Sequence, residues 1–285
     1  AEPLARTALA YFRTNGGDDG PELHMITASD LATVIAGQRP LDPEIVALYR
    51  ESIAVADEHH LNPAGTGVVV NNLGSTLVNV GRLDEAESTL RDALRRMDAL
   101  PAPPPEKSYV LANLSRVLRV RGNSAEAVRL GAASIDHATR SYPPDHPFLA
   151  APTALFGRAL VANGELDRGR LVLTDALRRF RLIRAKQHPD LTRALIGLGI
   201  VHRLEGHLAE SERALRESRD ILASHPNLKE PRAETAGELG MTLRALGRLA
   251  EAGPLLQESY DAYRAAFGDT YPPTKQALAR LHGGP

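Results

Sequence analysis

An all-α fold of repeated helical hairpins is what this 285-residue sequence predicts, on three observations. The first is a recurring Gly-x-Leu-like motif: Gly81-Arg-Leu83-Asp-Glu85-Ala86, Gly122-Asn-Ser-Ala-Glu126-Ala127, Gly164-Glu-Leu166-Asp-Arg-Gly169, Gly206-His-Leu208-Ala-Glu210-Ser211 and Gly247-Arg-Leu249-Ala-Glu251-Ala252. Its glycines stand 41 or 42 residues apart, a period that marks a solenoid or a propeller. The second decides between these. Apolar residues lie at helical spacing before each glycine (Leu73, Leu77, Val80) and after it (Leu83, Ala86, Leu90, Ala93, Leu94), so the unit is helix, turn, helix. The third is a Pro-containing stretch between units, as in 101–105, 142–147, 187–190, 224–227 and 268–273, where proline disfavours helix for the preceding residue and suits the first turn of the next.

In chain order, residues 1–20 read as an N-terminal helix and loop, the remnant of a preceding repeat, with Leu4, Ala8, Leu9 and Phe12 on one side of the helix. Because the first residue is Ala and a helix begins at once, the sequence reads as a piece or processed product of a longer chain. Residues 21–58 form a degenerate hairpin, with Arg39 in the glycine's place 42 residues before Gly81 and Leu31, Ala32, Ile35 and Leu41 in register. Five hairpins follow at 64–100, 106–141, 147–184, 188–223 and 230–267, making about six, and a C-terminal capping helix spans 273–282.

Each turn glycine supplies a positive φ without a Cβ penalty. Acidic residues just beyond it favour the positive end of the next helix dipole. Seven residues before the glycine the side chain is small (Gly74, Ser115, Gly157, Gly199, Gly240), and five after it small again (Ala86, Ala127, Gly169, Ser211, Ala252). A glycine within a helix costs about 0.8–1 kcal/mol relative to alanine, so these positions predict close contact between paired helices. A further small residue, at Ala93, Ser134, Ala176, Ser218 and Ser259, marks where the next repeat docks.

Small residues before the turn, then Gly, Leu and Ala five after it, resemble tetratricopeptide repeats. The 42-residue spacing, the His-Pro connectors and Val70-Asn71-Asn72-Leu73-Gly74 resemble the kinesin-light-chain subtype. The resemblance covers nearly everything after residue 20 and implies a right-handed α-solenoid that binds proteins or peptides. The segments 246–260 and 263–274 are similar to the repeat region following the catalytic domain of certain bacterial serine/threonine kinases, which implies a signalling context. No kinase motif lies in the sequence itself.

In such a solenoid the first helix of each hairpin lines the concave face. The register places Asn71, Asn72, Ser75 and Asn79 there, then Arg116, Arg119, Arg158, Arg193, Arg203 and Arg244. Amides offer donors and an acceptor to an extended backbone, and arginine grips carboxylates in a bidentate fork. The expected partner is a protein or peptide segment carrying acidic residues. The expected role is a non-catalytic interaction scaffold, the repeat arm of a bacterial signalling protein. The alternative is a peptide-sensing regulator whose effector domain lies outside this chain.

Composition excludes other classes. Thirty-four Lys and Arg balance 35 Asp and Glu, and aromatics are only 4% with no Trp, so neither a general attraction to nucleic acid nor base-stacking platforms are expected. No apolar run reaches 18 residues, so no membrane span is expected. The absence of Cys removes thiolate chemistry and fits a cytoplasmic setting. His59-His60, and His202 with His207, lack a zinc-ligand spacing, so no metal or cofactor is expected. Gly65-Thr-Gly67 has no following Gly-Lys-Ser/Thr, Gly16 to Gly20 lacks the ligands of a calcium loop, and no Gly-x-Ser-x-Gly elbow occurs. Enzyme activity is not expected.

Overall fold

The structure, a computed structural model, describes residues 1–15, 19–183 and 187–284, and among these all regular structure is helical. The sequence reading of Gly16 to Gly20 as a turn falls largely outside the described residues. The chain divides into two compact units, Ala1–Leu114 and Ser115–Pro285.

The first unit holds α1 (Glu2–Phe12), α2 (Gly20–Gln38), α3 (Pro43–Glu58), α4 (Pro63–Asn79), α5 (Leu83–Asp98) and the start of α6 (Lys107–Val120). Asp42-Pro43 and Asn62-Pro63 open α3 and α4 in the same way. The Asp42 and Asn62 side chains accept from the N–H two residues on, at 3.0 and 2.9 Å, and proline occupies the first helical position, where no donor is needed. Helix α2 packs on α3 and α4 on α5, burying Leu31, Ile35, Ile45, Leu77 and Leu90 almost completely. Each such side chain contributes about 1.5–3 kcal/mol.

The second unit holds the end of α6, α7 (Ser124–Ser141), a single 3-10 turn at Pro147–Leu149, α8 (Ala150–Ala162), α9 (Leu166–Ile183), α10 (Leu191–Leu204), α11 (Leu208–Ala223), α12 (Lys229–Ala245), α13 (Leu249–Phe267) and α14 (Pro272–Leu281). In the pairs α8–α9, α10–α11 and α12–α13 the two helices pack on each other, and α8, α10, α12 and α14 also touch in sequence.

One turn recurs throughout. Gly81, Gly122, Gly164, Gly206 and Gly247 have φ between 76 and 84°. The N–H after each reaches back five residues: Arg82 to the Leu77 carbonyl at 2.9 Å, Asn123 to Leu118 at 2.8 Å, Glu165 to Leu160 at 3.0 Å, His207 to His202 at 2.8 Å and Arg248 to Leu243 at 2.9 Å. This is the Schellman closure, which satisfies the orphan carbonyls of the first helix while reversing the chain.

Helix approach in the hairpins is set by volume. A Cβ on Gly74, Gly157, Gly199 or Gly240 would fall 2.5–2.9 Å from a leucine sixteen residues on, respectively Leu90, Leu173, Leu215 and Leu256. The hairpin of α6 and α7 solves the problem differently. Ser115 stands in the glycine's place and donates its hydroxyl to the Ala127 carbonyl at 2.7 Å, Gly131 replaces the leucine, and Phe156 from α8 packs where a Gly131 Cβ would go. Ser218 and Thr235 share a hydrogen bond of 3.0 Å between α11 and α12, so the third small position docks the following hairpin.

Candidate functional site

In the first unit, Asn71, Ser75 and Asn79 follow one another at four-residue steps on α4, and Asn72 stands beside the first of them. All four are half-buried. Asn113, one 42-residue period after Asn71, donates its amide to Asn71 Oδ1 at 3.0 Å, and Asn71 in turn donates to Asn72 Oδ1 at 3.5 Å. The row is therefore an amide ladder across the first helices of successive hairpins. Asn113, which extends it, was not among the candidates, although its register made it findable.

The arginines belong to the second unit, and four of the six expected to grip a partner's carboxylates are engaged there within the chain itself. Arg116 and Arg158 are buried, and each pairs with a carboxylate of α12, Arg116 with Glu230 and Arg158 with Glu234. Arg203 reaches Glu238 at 2.9 Å, and Glu238 also receives Arg280 of α14 at 2.8 Å. Arg244 donates to the carbonyls of Arg280 and Gly284 at 2.8 and 2.7 Å, capping the end of α14. Arg193 stands 3.9 Å from Asp190.

The missing element of the sequence reading was α12. Glu230, Glu234 and Glu238 lie four residues apart and so form one stripe, aimed at the arginines of α6, α8 and α10. That spacing was visible, but the pairing joins residues up to 114 apart in sequence.

Electrostatics follow from this geometry. Burial alone would raise the Glu230 pKa, yet Arg116, Arg119 and Arg158 outweigh it and hold the carboxyl below its ordinary range. Glu238 behaves likewise under Arg280 and Arg203. Six guanidinium groups, Arg116, Arg119, Arg158, Arg193, Arg203 and Arg280, stand against the three α12 carboxylates and Asp190, so positive charge is in excess.

Part of that excess is shared by Arg203 and Arg280 on the one Glu238 carboxylate, and part lies on Arg119. It is half-buried, has no hydrogen-bond acceptor among the described residues, and its Nε is sealed from solvent. Burial, then the neighbouring Arg158, lower its pKa to about 10, so it remains a cation at neutral pH. It lines a cavity of about 530 Å³ with Glu230, Glu234, Tyr263, Gln276 and Arg280. The buried Tyr271 hydroxyl also lacks a hydrogen-bond partner among the described residues. Its pKa is pushed up by burial and by Glu230, against the opposing fields of Arg116 and Arg119, which places it in the same electrostatic neighbourhood.

Among the described residues no helix is long and apolar enough to cross a membrane. A family model described as tetratricopeptide repeat matches residues 71–146 and 155–226, and a second of the same description matches 232–271. Among solved structures, a Rap protein complexed with competence and sporulation factor is similar at 12% identity and a TM-score of 0.64, over 99% of this chain and 79% of that one. BtubC from P. vanneervenii is similar at 15% identity and 0.52, over 92% and 91%. A putative kinesin light chain with nearly identical repeats from Podosopora anserina matches at 20% and 0.51, over 72% and 97%. At these identities the likeness is one of fold. No match was found among curated proteins.

Proposed function

Because this chain belongs to the tetratricopeptide repeat family, we propose that it is a non-catalytic scaffold that holds an acidic polypeptide segment, with Arg119 as the anchoring cation. The observation that carries the acidic preference is the Arg119 guanidinium, which faces a cavity of about 530 Å³ without an acceptor among the described residues, while Arg116 and Arg158 are matched to α12. A carboxylate entering there gains charge-assisted hydrogen bonds that are shorter and about twice as strong as neutral ones. The first unit, taken by itself, offers a separate surface: the Asn71, Asn72, Ser75 and Asn79 row carries donors and acceptors that suit a main chain. The Rap structure, bound to its factor, is a precedent for a stack of this fold holding a ligand. The wider role is that of a repeat arm in a bacterial kinase-associated signalling protein. The alternative is a peptide-sensing regulator. A kinase domain in the same reading frame favours the first, a DNA-binding domain the second.

The test is selection of random twelve-residue peptides on the immobilised chain, followed by titration of the enriched peptides against wild type and Arg119→Glu. Enrichment of Asp and Glu, with binding that weakens in high salt and is lost in the variant, is the expected result. Peptides without acidic residues, bound equally by both proteins, overturn the reading.

A further inference from the structure

The fourth glycine turn differs chemically from its four siblings. Each Schellman closure brings the side chain of the residue whose carbonyl is capped close to that of the residue after the glycine. The capped residue is Leu77, Leu118, Leu160 or Leu243 in four of the turns, each of them buried in the core. In the fourth it is His202. An imidazole placed where the repeat otherwise puts leucine must find a partner for its nitrogens, yet His202 Nδ1 is sealed from solvent with no hydrogen-bond partner among the described residues.

Two further groups converge on it. His207 follows the glycine, and the two rings lie 6.1 Å apart. Glu205, between them, is hydrogen-bonded on one side only: Arg170 of α9 donates to its Oε1 at 3.3 Å, while Oε2 is sealed from solvent and accepts no hydrogen bond among the described residues. That oxygen stands 3.5 Å from His207 Nδ1. One donor atom from each of the three residues lies within 4.8 Å of the others. Tetrahedral zinc with bonds of about 2.0–2.2 Å separates its ligands by roughly 3.3–3.5 Å, so the His207 and Glu205 pair already has that spacing.

We propose that His202, Glu205 and His207 form a binding site for a divalent transition-metal ion of the zinc class, built across the Gly206 turn. Two imidazoles and one carboxylate suit zinc and its neighbours rather than magnesium or calcium, which take oxygen ligands. Arg170 orients the carboxylate from outside the ligand set, as outer partners of metal sites do. His202 and His207 are five residues apart, off the His-x-x-x-His spacing of a helical zinc site. Here the turn, not the helical repeat, brings the ligands together. The site is independent of the acidic-segment reading.

The test is isothermal titration of the untagged full chain with zinc chloride, paired with thermal melts, and with magnesium chloride as control. Wild type binds one zinc per chain and its melting temperature rises with zinc but not magnesium. His202→Leu, which installs the residue of the sibling turns, melts without metal at or above wild type and gains nothing from zinc. His207→Ala and Glu205→Gln weaken binding by more than about tenfold, and Arg170→Met by roughly tenfold. Absence of saturable one-to-one binding, or binding unchanged in both His202→Leu and His207→Ala, overturns the proposal.

Discussion

Arg116 and Arg119 stand three residues apart on one helix and are put to opposite uses. Arg116 is buried against Glu230, whereas Arg119 has no acceptor among the described residues. Removing one member of a buried pair leaves a bare charge, so Glu238→Ala, which strands Arg203 and Arg280, is expected to lower unfolding free energy by about 3–5 kcal/mol in urea titration. Arg119→Met is expected to leave stability unchanged or higher in the same assay while abolishing capture of acidic segments. Reversing Arg116, Arg158 and Arg203 together therefore acts on folding before it can report on binding. The pH dependence has a definite sign. Glu230 and Glu238 have folded pKa values below their unfolded ones, so their stabilisation is complete above the ordinary glutamate value of about 4.3 and disappears as pH falls through the folded values. Glu238→Gln should flatten the acid limb of a stability-against-pH curve; an unchanged limb would show that other carboxylates dominate it.

At the scale of the helical pair, packing is governed by a glycine facing a leucine. Gly157→Ala would put a methyl 2.7 Å from Leu173 Cγ and 3.2 Å from its backbone nitrogen. Overpacking of this kind costs about 1–3 kcal/mol, against about 1 kcal/mol gained in helix propensity. The clash is relieved when the leucine is shortened, so Gly157→Ala with Leu173→Ala should destabilise less than the sum of the single changes, by about 0.5–3 kcal/mol in a double-mutant cycle. The hairpin repeat was legible because its signals are local: a turn glycine, a Pro-opened helix and small residues at fixed offsets each act within a few residues. Family membership followed from the same signals. The Ser115, Gly131 and Phe156 exchange was not legible, since it trades volume between two hairpins. Nor was the pairing of α12 with the arginines, since a row of glutamates on a helix reads equally well as a solvated face until a distant partner is known. His202 could have been noticed by laying the five turns over one another, as a polar residue in a column of leucines.

In the whole molecule, repeats ordinarily interact with nearest neighbours only, so that an array can lose its outer members one at a time. The carboxylates of α12 break that rule within the second unit. Arg116 of α6 meets Glu230 across 114 residues and Arg158 of α8 meets Glu234 across 76, so the first and fourth hairpins of that unit are joined directly as well as through those between. These links are expected to suppress stepwise fraying, so that the second unit melts as a single block. Native-state hydrogen exchange should find the amides of α6, α8, α10 and α12 opening with one common free energy, and Glu230→Gln with Glu234→Gln should separate them into graded classes, the α6 end exchanging first.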